Sequence, residues 1–208
     1  MVKKYLLVLI GFASLKLAAQ ENQNDSAGSQ WNFSAWAEMF IVPGEDDFFN
    51  PTFYARHKTL HLEARYNYED RNTASLWAGH RFKFGKGVKF VVVPMGSVVF
   101  GNTNGFAPGL EMEIMYKKFD FYAESEYVFD FSSRENNFFY NYSELAIRPI
   151  KPLRTGMITQ RTRLFQSARE FQAGVFSEYY FGRCRAGVFY FSPFASDNYW
   201  IASFSVDF

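Results

Sequence analysis

The chain ends in WIASFSVDF, residues Trp200 to Phe208, where apolar side chains alternate with small or polar ones. Successive side chains of a β-strand point to opposite faces of the sheet. Trp200, Ala202, Phe204, Val206 and Phe208 therefore share one apolar face. This stretch predicts a final β-strand with one face suited to an apolar environment and the other to a polar one.

Residues 1–19 have the pattern of a secretory signal peptide. Two lysines open the segment, an apolar stretch continues to Leu15, and Ala19 marks a small-residue cleavage site. The apolar stretch is too short to cross a bilayer comfortably, which disfavours a retained membrane anchor. We expect an exported protein, with residues 20–30 as a polar, disordered lead-in and residues 31–208 as the folded domain.

Composition favours a β-structure in a membrane. Aromatic residues make up 21% of the chain, yet the mean hydropathy is -0.21. No stretch after the signal is apolar over the length of a membrane-spanning helix. Such a chain places its two kinds of side chain on opposite faces of strands, as a transmembrane barrel does with lipid outside and a polar lumen inside. A soluble β-sandwich also alternates, and it is the alternative.

Charge and cysteine content exclude other classes of protein. The net charge of +1 gives no basic field for nucleic acid, so no nucleic-acid partner is expected. Cys184 is the only cysteine, which rules out an internal disulfide and makes a lipoprotein improbable, since no cysteine follows the cleavage site.

We predict an all-β fold, a single antiparallel transmembrane β-barrel of about 12 strands with short periplasmic turns and longer outer loops. An even number of strands returns the C-terminus to the periplasm. The strand-like segments lie near residues 31–42, 50–57, 59–69, 74–85, 88–100, 107–117, 119–131, 137–149, 153–164, 169–181, 184–193 and 198–208.

Alternation also assigns side chains to the lumen. In the third segment, an apolar row of Leu60, Leu62, Ala64, Tyr66 and Tyr68 alternates with a polar row that runs from His61 to Glu69. An arginine facing lipid at the bilayer midplane costs about 2–4 kcal/mol, so we assign the apolar row to lipid. The residues assigned to the lumen, in a pairing or solute-contacting role, are His61, Glu63, Arg65, Arg81, Lys83, Glu111, Glu113, Asp120, Glu124, Glu126, Glu144, Arg148, Arg154, Glu178 and Arg185.

Two interpretations of these charges stay open. Opposite charges on neighbouring strands can pair and fill a lumen that is too narrow for a wide water channel. Alternatively, acids on the sixth and seventh strands face a basic wall, and the resulting transverse field orients charged solutes. The basic wall would consist of Arg148 and Arg154, joined by Arg161 and Arg163.

Catalysis lacks a complete set of residues. Outer-membrane phospholipase A, a barrel of similar size, uses a His followed two residues later by a Ser on the same face. In this chain His57 is followed by Thr59, His61 by Glu63 and His80 by Phe82, so the Ser is not in place.

No cofactor or metal site is expected, because three scattered histidines and one cysteine show no ligand spacing.

Three local features depart from the regular pattern. His80 has the parity of lipid-facing residues, and we expect a bulge at Gly79, in preference to a subunit contact, to explain it. Pro94 cannot donate to a strand ladder, so its strand is expected to break its pairing there. Residues 101–109 are rich in turn formers and are predicted to form the third outer loop.

The last strand resembles the closing strand of Gram-negative outer-membrane β-barrels, where a terminal Phe belongs to the signal read by the insertion machinery. Over residues 1–20 and 31–208, the chain resembles small porin-like outer-membrane β-barrels of Gram-negative bacteria. The resemblance implies a place in the cell outer membrane, contact with its lipid, and recognition by the barrel-assembly machinery during biogenesis. The insertion signal would consist of Trp200, Phe204, Val206 and Phe208.

The resemblance carries no catalytic residue over, and it leaves three functions to weigh. The favoured one is a narrow passive channel for small polar or charged solutes. The alternative is a non-conducting structural or interaction barrel with a salt-bridged lumen. A lipid-acting outer-membrane enzyme that uses His61 or His80 is the least favoured.

Overall fold

The alternating segments form long antiparallel strands in a computed structural model that describes residues 30–164 and 170–208. The predicted signal peptide at residues 1–19, the lead-in up to residue 29 and the connection at residues 166–168 lie outside the described residues.

Each of the predicted strand segments is confirmed to within a few residues. A short 3-10 turn, Arg134–Asn136, lies in the connection between β8 and β9. No helix in the described ranges is long and apolar enough to cross a membrane. The strands are β1 (Asn32–Ile41), β2 (Phe48–His57), β3 (Leu60–Tyr66), β4 (Thr73–His80), β5 (Phe82–Phe84), β6 (Lys89–Gly101), β7 (Gly105–Tyr116), β8 (Phe119–Asp130), β9 (Phe138–Ile147), β10 (Leu153–Leu164), β11 (Glu170–Phe181), β12 (Cys184–Phe191) and β13 (Tyr199–Asp207).

The sheet closes on itself. Each strand except β4 pairs with the next along the chain, and β1 pairs with β13 from Ser34 opposite Asp207 to Ile41 opposite Trp200. The short β5 continues β4 beyond Arg81, and both pair with β6, so they form one strand of the wall. The result is a closed antiparallel barrel of 12 strands, as predicted.

The outer wall is apolar. Trp200 and Phe204 of β13 are each 44% exposed, whereas Ile201 between them is 2% exposed. A soluble sandwich would pack such rows into a dry core, so the soluble alternative is wrong, and a lipid-facing wall explains the exposure. Other large apolar side chains exposed on the wall include Phe33, Phe53, Leu60, Tyr66, Leu76, Phe82, Phe84, Phe106, Leu110, Phe119, Leu145, Met157 and Val188.

The interior contains apolar side chains as well as the predicted charges. Two buried apolar clusters lie in the interior, and most of their members lie toward the ends of their strands that are farther from the chain termini. One cluster includes Ile158, Phe176, Phe189, Phe191, Tyr199 and Ile201; the other includes Trp77, Met95, Val99, Ala107, Val128 and Phe138.

Tyr68 does not face lipid as predicted. The strand ends at Tyr66, and Asn67 adopts a left-handed backbone with φ of 59°. This turn breaks the alternation and points Tyr68 into the barrel, where its hydroxyl donates to Glu124 at 3.1 Å.

The expected bulge at Gly79 is absent. Gly79 pairs with Met95 and Phe82 with Val92, so the register with β6 is the same on both sides of His80. His80 therefore lies exposed on the outer wall, its ring 4.6 Å from that of Phe82 between centroids. The ladder is interrupted there because Pro94, the residue opposite, has no N–H to donate.

The interruption of pairing expected at Pro94 occurs on one side of its strand only. Pro94 stays in register with Leu110 of β7, so the effect of the missing donor falls on the neighbouring β4 and β5. The third outer loop is also shorter than predicted, because β6 runs to Gly101 and β7 begins at Gly105. Gly109 serves packing, since a Cβ there would lie 2.7 Å from the indole ring of Trp77.

The lipid-facing wall predicts how an added charge affects stability. Leu110 lies in the middle of β7 and is 46% exposed, whereas Phe119 is 55% exposed at the beginning of β8. Leu110→Arg should lower the free energy of unfolding by about 2–4 kcal/mol, and Phe119→Arg by about 0–1 kcal/mol, because the cost depends on depth in the bilayer. Equilibrium unfolding in lipid vesicles measures both, and equal small losses would contradict a membrane-spanning wall.

Candidate functional site

The predicted lumen charges meet in two groups. The first, here called the Arg65 cluster, centres on Arg65 of β3. Its Nε lies 2.6 Å from Glu63 Oε2, and its Nη1 lies 2.6 Å from Glu124 Oε1 and 3.3 Å from Glu126 Oε2. Strands β3 and β8 are not neighbours in the wall, so these contacts cross the interior.

The Arg65 guanidinium is also enclosed by aromatic rings. It lies 4.4 Å from the ring centroid of Tyr68 and 4.7 Å from that of Trp77. The Arg65 side chain is only 1% exposed, so its charge depends on carboxylates and ring faces for compensation in place of water. These contacts form a crowded layer across the lumen.

His61 joins this layer to β7. Its Nε2 is hydrogen-bonded to Glu63 Oε1 and lies 3.8 Å from Glu111 Oε2. The ligand atoms of His61, Glu63 and Glu111 all lie within 4.8 Å of one another, an arrangement that could hold a metal ion. Sequence spacing could not show this trio because Glu111 comes from a distant strand. Glu63 already pairs with the cationic Arg65, which compensates its negative charge without a metal ion.

The second group, here called the Arg154 cluster, gathers four strands around Arg154 of β10. Its Nη2 lies 2.6 Å from Asp120 Oδ1, and its Nη1 lies 2.6 Å from Glu144 Oε2 and 2.7 Å from Glu178 Oε2. The guanidinium also stacks over Phe176 at 4.9 Å. Arg154 therefore binds together β8, β9, β10 and β11.

Two more arginines extend the Arg154 cluster. Arg185 Nη1 lies 3.4 Å from Glu178 Oε1, and Arg148 Nε lies 3.4 Å from Asp120 Oδ2. Both guanidinium groups also donate to the hydroxyl of Tyr180, at 3.3 Å and 3.4 Å. Here three arginines meet three carboxylates, whereas the Arg65 cluster has more acid than base.

The predicted contrast between an acidic and a basic wall is not what the structure shows. The acids of β8 pair with arginines from β3 and β10, so the opposite charges are interleaved. Arg161 lies over the ring of Phe139 at 5.8 Å, on the other face of β10 from Arg154. The side chain of Arg163 lies outside the described residues.

Arg81 and Lys83 belong to neither cluster. Together with Arg56 and Lys58 they surround a cavity of about 450 Å³ at the end of the barrel that carries the termini. We call this cavity the basic vestibule. Arg56 and Lys58 are not among the residues predicted to line the lumen, although Arg56 lies on the same face of β2 as the buried Thr52. Glu113, also predicted in the lumen, is half-buried and forms no ion pair with another described residue.

A second cavity, here called the central cavity, has a volume of about 150 Å³. Glu38, Asn50, Tyr122 and Glu124 contribute polar groups to its wall, and Trp36 and Ile201 contribute apolar ones. It shares no lining residue with the basic vestibule. Glu124 lines the central cavity and also pairs with Arg65, so the Arg65 cluster borders this cavity directly.

The buried position of Arg154 predicts a large stability effect. Arg154→Ala would leave the buried Glu144 and Glu178 and the partly buried Asp120 without their shared cation, and it should lower the free energy of unfolding by about 3–5 kcal/mol. Arg71 is the matched control, because its ion pair with Glu45 has side chains that are 44% and 61% exposed. Arg71→Ala should cost at most about 1 kcal/mol. Chemical denaturation of both variants tests this, and a loss no larger for Arg154→Ala would contradict the cluster.

Comparison with known proteins supports the fold. No protein-family model and no curated protein sequence matches the chain. The KdgM porin is similar with a TM-score of 0.60 at 12% identity, over 84% of this chain and 99% of that one. A KdgM porin in complex with disordered oligogalacturonate gives 0.58 at 12% identity, over 85% and 99%. Omp33 of Acinetobacter baumannii gives 0.52 at 11% identity, over 86% and 98%. The chain therefore has the fold of outer-membrane porins, a closed β-barrel with an apolar outer wall.

Proposed function

We propose that the barrel is a narrow passive channel for small polar or charged solutes, with the Arg65 and Arg154 clusters as its constriction. All described strands belong to the wall, so within the described residues only side chains obstruct the interior. Side chains can move or hydrate on a much shorter timescale than a folded plug can leave. A barrel of about 12 strands is intermediate between filled eight-stranded barrels and open porins.

The observation that carries this proposal is the arrangement of the two cavities. Along β2, Tyr54 lines the central cavity and Arg56, the next inward residue, lines the basic vestibule, so the two cavities follow each other along the wall, and both contain polar groups. A solute that passed from one cavity to the other would meet carboxylates, guanidinium groups and tyrosine hydroxyls. Such a path suits small polar or charged solutes and excludes bulky apolar ones.

The non-conducting barrel is the second candidate, and burial favours it. The side chains of Glu63 and Glu178 are 0% exposed, and those of Arg65 and Glu126 are each 1% exposed. A layer that is already dry could serve only to hold the strands in register. The two candidates therefore differ in whether the ion pairs open to water.

A lipid-acting enzyme has the weakest support. His61 is engaged with glutamates, and His80 packs against Phe82 on the outer wall. Neither arrangement offers an activated nucleophile of the kind that acyl transfer needs.

The terminal strand supports a further part of the proposal, recognition by the barrel-assembly machinery. Trp200, Phe204 and Phe208 are all exposed, the first two on the outer wall where a partner protein can reach them. Phe208→Ala should lower the fraction of protein assembled in the outer membrane with little effect on the stability of the folded barrel. Cell fractionation and refolding in detergent separate these two effects.

Single-channel recording in planar bilayers tests the channel. Wild-type protein should give a small conductance, and the double variant Arg65→Ala/Glu124→Ala should give a larger one, because it removes both members of an ion pair in the constriction. The matched control is Arg71→Ala/Glu45→Ala, which removes an exposed ion pair elsewhere and should leave conductance unchanged. A folded wild-type barrel that never conducts, beside a double variant that does, would establish the closed barrel instead.

A further inference from the structure

The basic vestibule differs from the rest of the interior in its charge balance. Four cations line it, and Asp207 is the only side-chain carboxylate among its lining residues. In contrast, Arg65 and Arg154 each contact three carboxylates. Within the described part of the chain, no vestibule cation forms an ion pair. These cations are Arg56, Lys58, Arg81 and Lys83.

The four cations converge on one space although they come from separate elements. Arg56 ends the inward row of β2, and Lys58 follows in the turn to β3. Arg81 and Lys83 come from the strand formed by β4 and β5. The backbone N–H of Arg81 donates to Thr59 at 2.7 Å, which fixes the residue where the β4 ladder is interrupted.

Two observations show that the charges of these cations are only partly compensated. The Nε of Arg56 is buried and has no hydrogen-bond partner, while its guanidinium lies over the ring of Tyr54 at 5.2 Å. Arg56 and Arg81 also repel each other electrostatically, and Glu113 and Glu111, which do not line the cavity, offset part of that repulsion. Like charges held together at the mouth of a low-dielectric barrel attract and concentrate anions.

We propose that the basic vestibule binds a phosphate-bearing anion. Guanidinium groups match phosphate oxygens in fork geometry, and lysines add point charges at a second side. The excess of cations over carboxylates suits a multiply charged group better than a monovalent ion. The volume of about 450 Å³ lies within the range of roughly 300–1,000 Å³ for small-molecule pockets.

The phosphate has two possible sources that share this chemistry. It belongs either to a free solute in the lumen or to a lipid headgroup that reaches over the rim beside Phe33 and Phe208. Binding at this site goes beyond the proposed channel, since a closed barrel can bind an anion and a conducting one can lack the site. Phosphate binding and conductance are therefore separate measurements.

Titration calorimetry with pyrophosphate tests the free-solute source, using the full chain folded in an uncharged, phosphate-free detergent. Wild-type protein should bind, and Arg56→Gln/Arg81→Gln should bind about tenfold more weakly or worse, because charge-assisted hydrogen bonds are lost. Lys58→Ala/Lys83→Ala should weaken pyrophosphate binding as well. Both lysines are exposed, so this double variant should fold normally. Heat-dependent gel mobility checks that each variant is folded.

The matched control is Lys151→Ala/Arg183→Ala. It removes two positive charges from exposed turns at the same end of the barrel, outside the vestibule, and should leave pyrophosphate binding unchanged. If this control weakened pyrophosphate binding equally, the effect would reflect the net charge of the protein, and the proposed binding site would be wrong.

Native mass spectrometry with added phosphatidylglycerol tests the lipid source. Lipid retention that falls in the vestibule variants and not in the control supports the same phosphate site and assigns it to a headgroup. If wild-type protein binds neither pyrophosphate nor this lipid in a vestibule-dependent way, the proposal is wrong.

Discussion

The pairing of β1 with β13 is the interaction on which the rest of this molecule depends. Hydrocarbon offers no hydrogen-bond partners, so a sheet in a membrane is viable only when its two edges satisfy each other. In this chain Ser34 meets Asp207 and Ile41 meets Trp200 along that seam. Once the wall is closed, every strand has a lipid face and a lumen face, and the period of two decides which residues are confined together.

Confinement then determines what the charged residues do. A narrow barrel cannot hydrate each of them fully, and a buried ion is tolerated only with close partners. Arg65 and Arg154 each contact carboxylates from several strands, and two apolar clusters also pack in the interior. The basic vestibule is the exception, because its four cations share a single lining side-chain carboxylate, that of Asp207. Function is therefore best sought where charge compensation changes along the axis of the barrel.

The features of this barrel that its sequence predicts are those that depend on interactions between residues close in the chain. The strands and the face of Arg65 were predictable, because alternation is a local property of a few successive residues. The partner of Arg65 was not, since Glu124 lies 59 residues away and meets it only across the closed lumen. Tyr68 was assigned to the wrong face because the left-handed backbone of Asn67 interrupts the period. Gly109 was assigned to a loop because a glycine needed beside the Trp77 ring looks the same in sequence as one needed for a turn.

The sequence by itself determined that this protein is a β-barrel with an aromatic exterior and a charged interior, because apolar and polar side chains alternate along each strand and so separate onto its two faces. Only the tertiary structure decided which charges neutralise one another and which are left to face a cavity. Those outcomes depend on distances across the lumen between strands that are remote in the chain. Arg56 and Lys83 illustrate the difference, since each is an ordinary strand residue until closure places both around the same space.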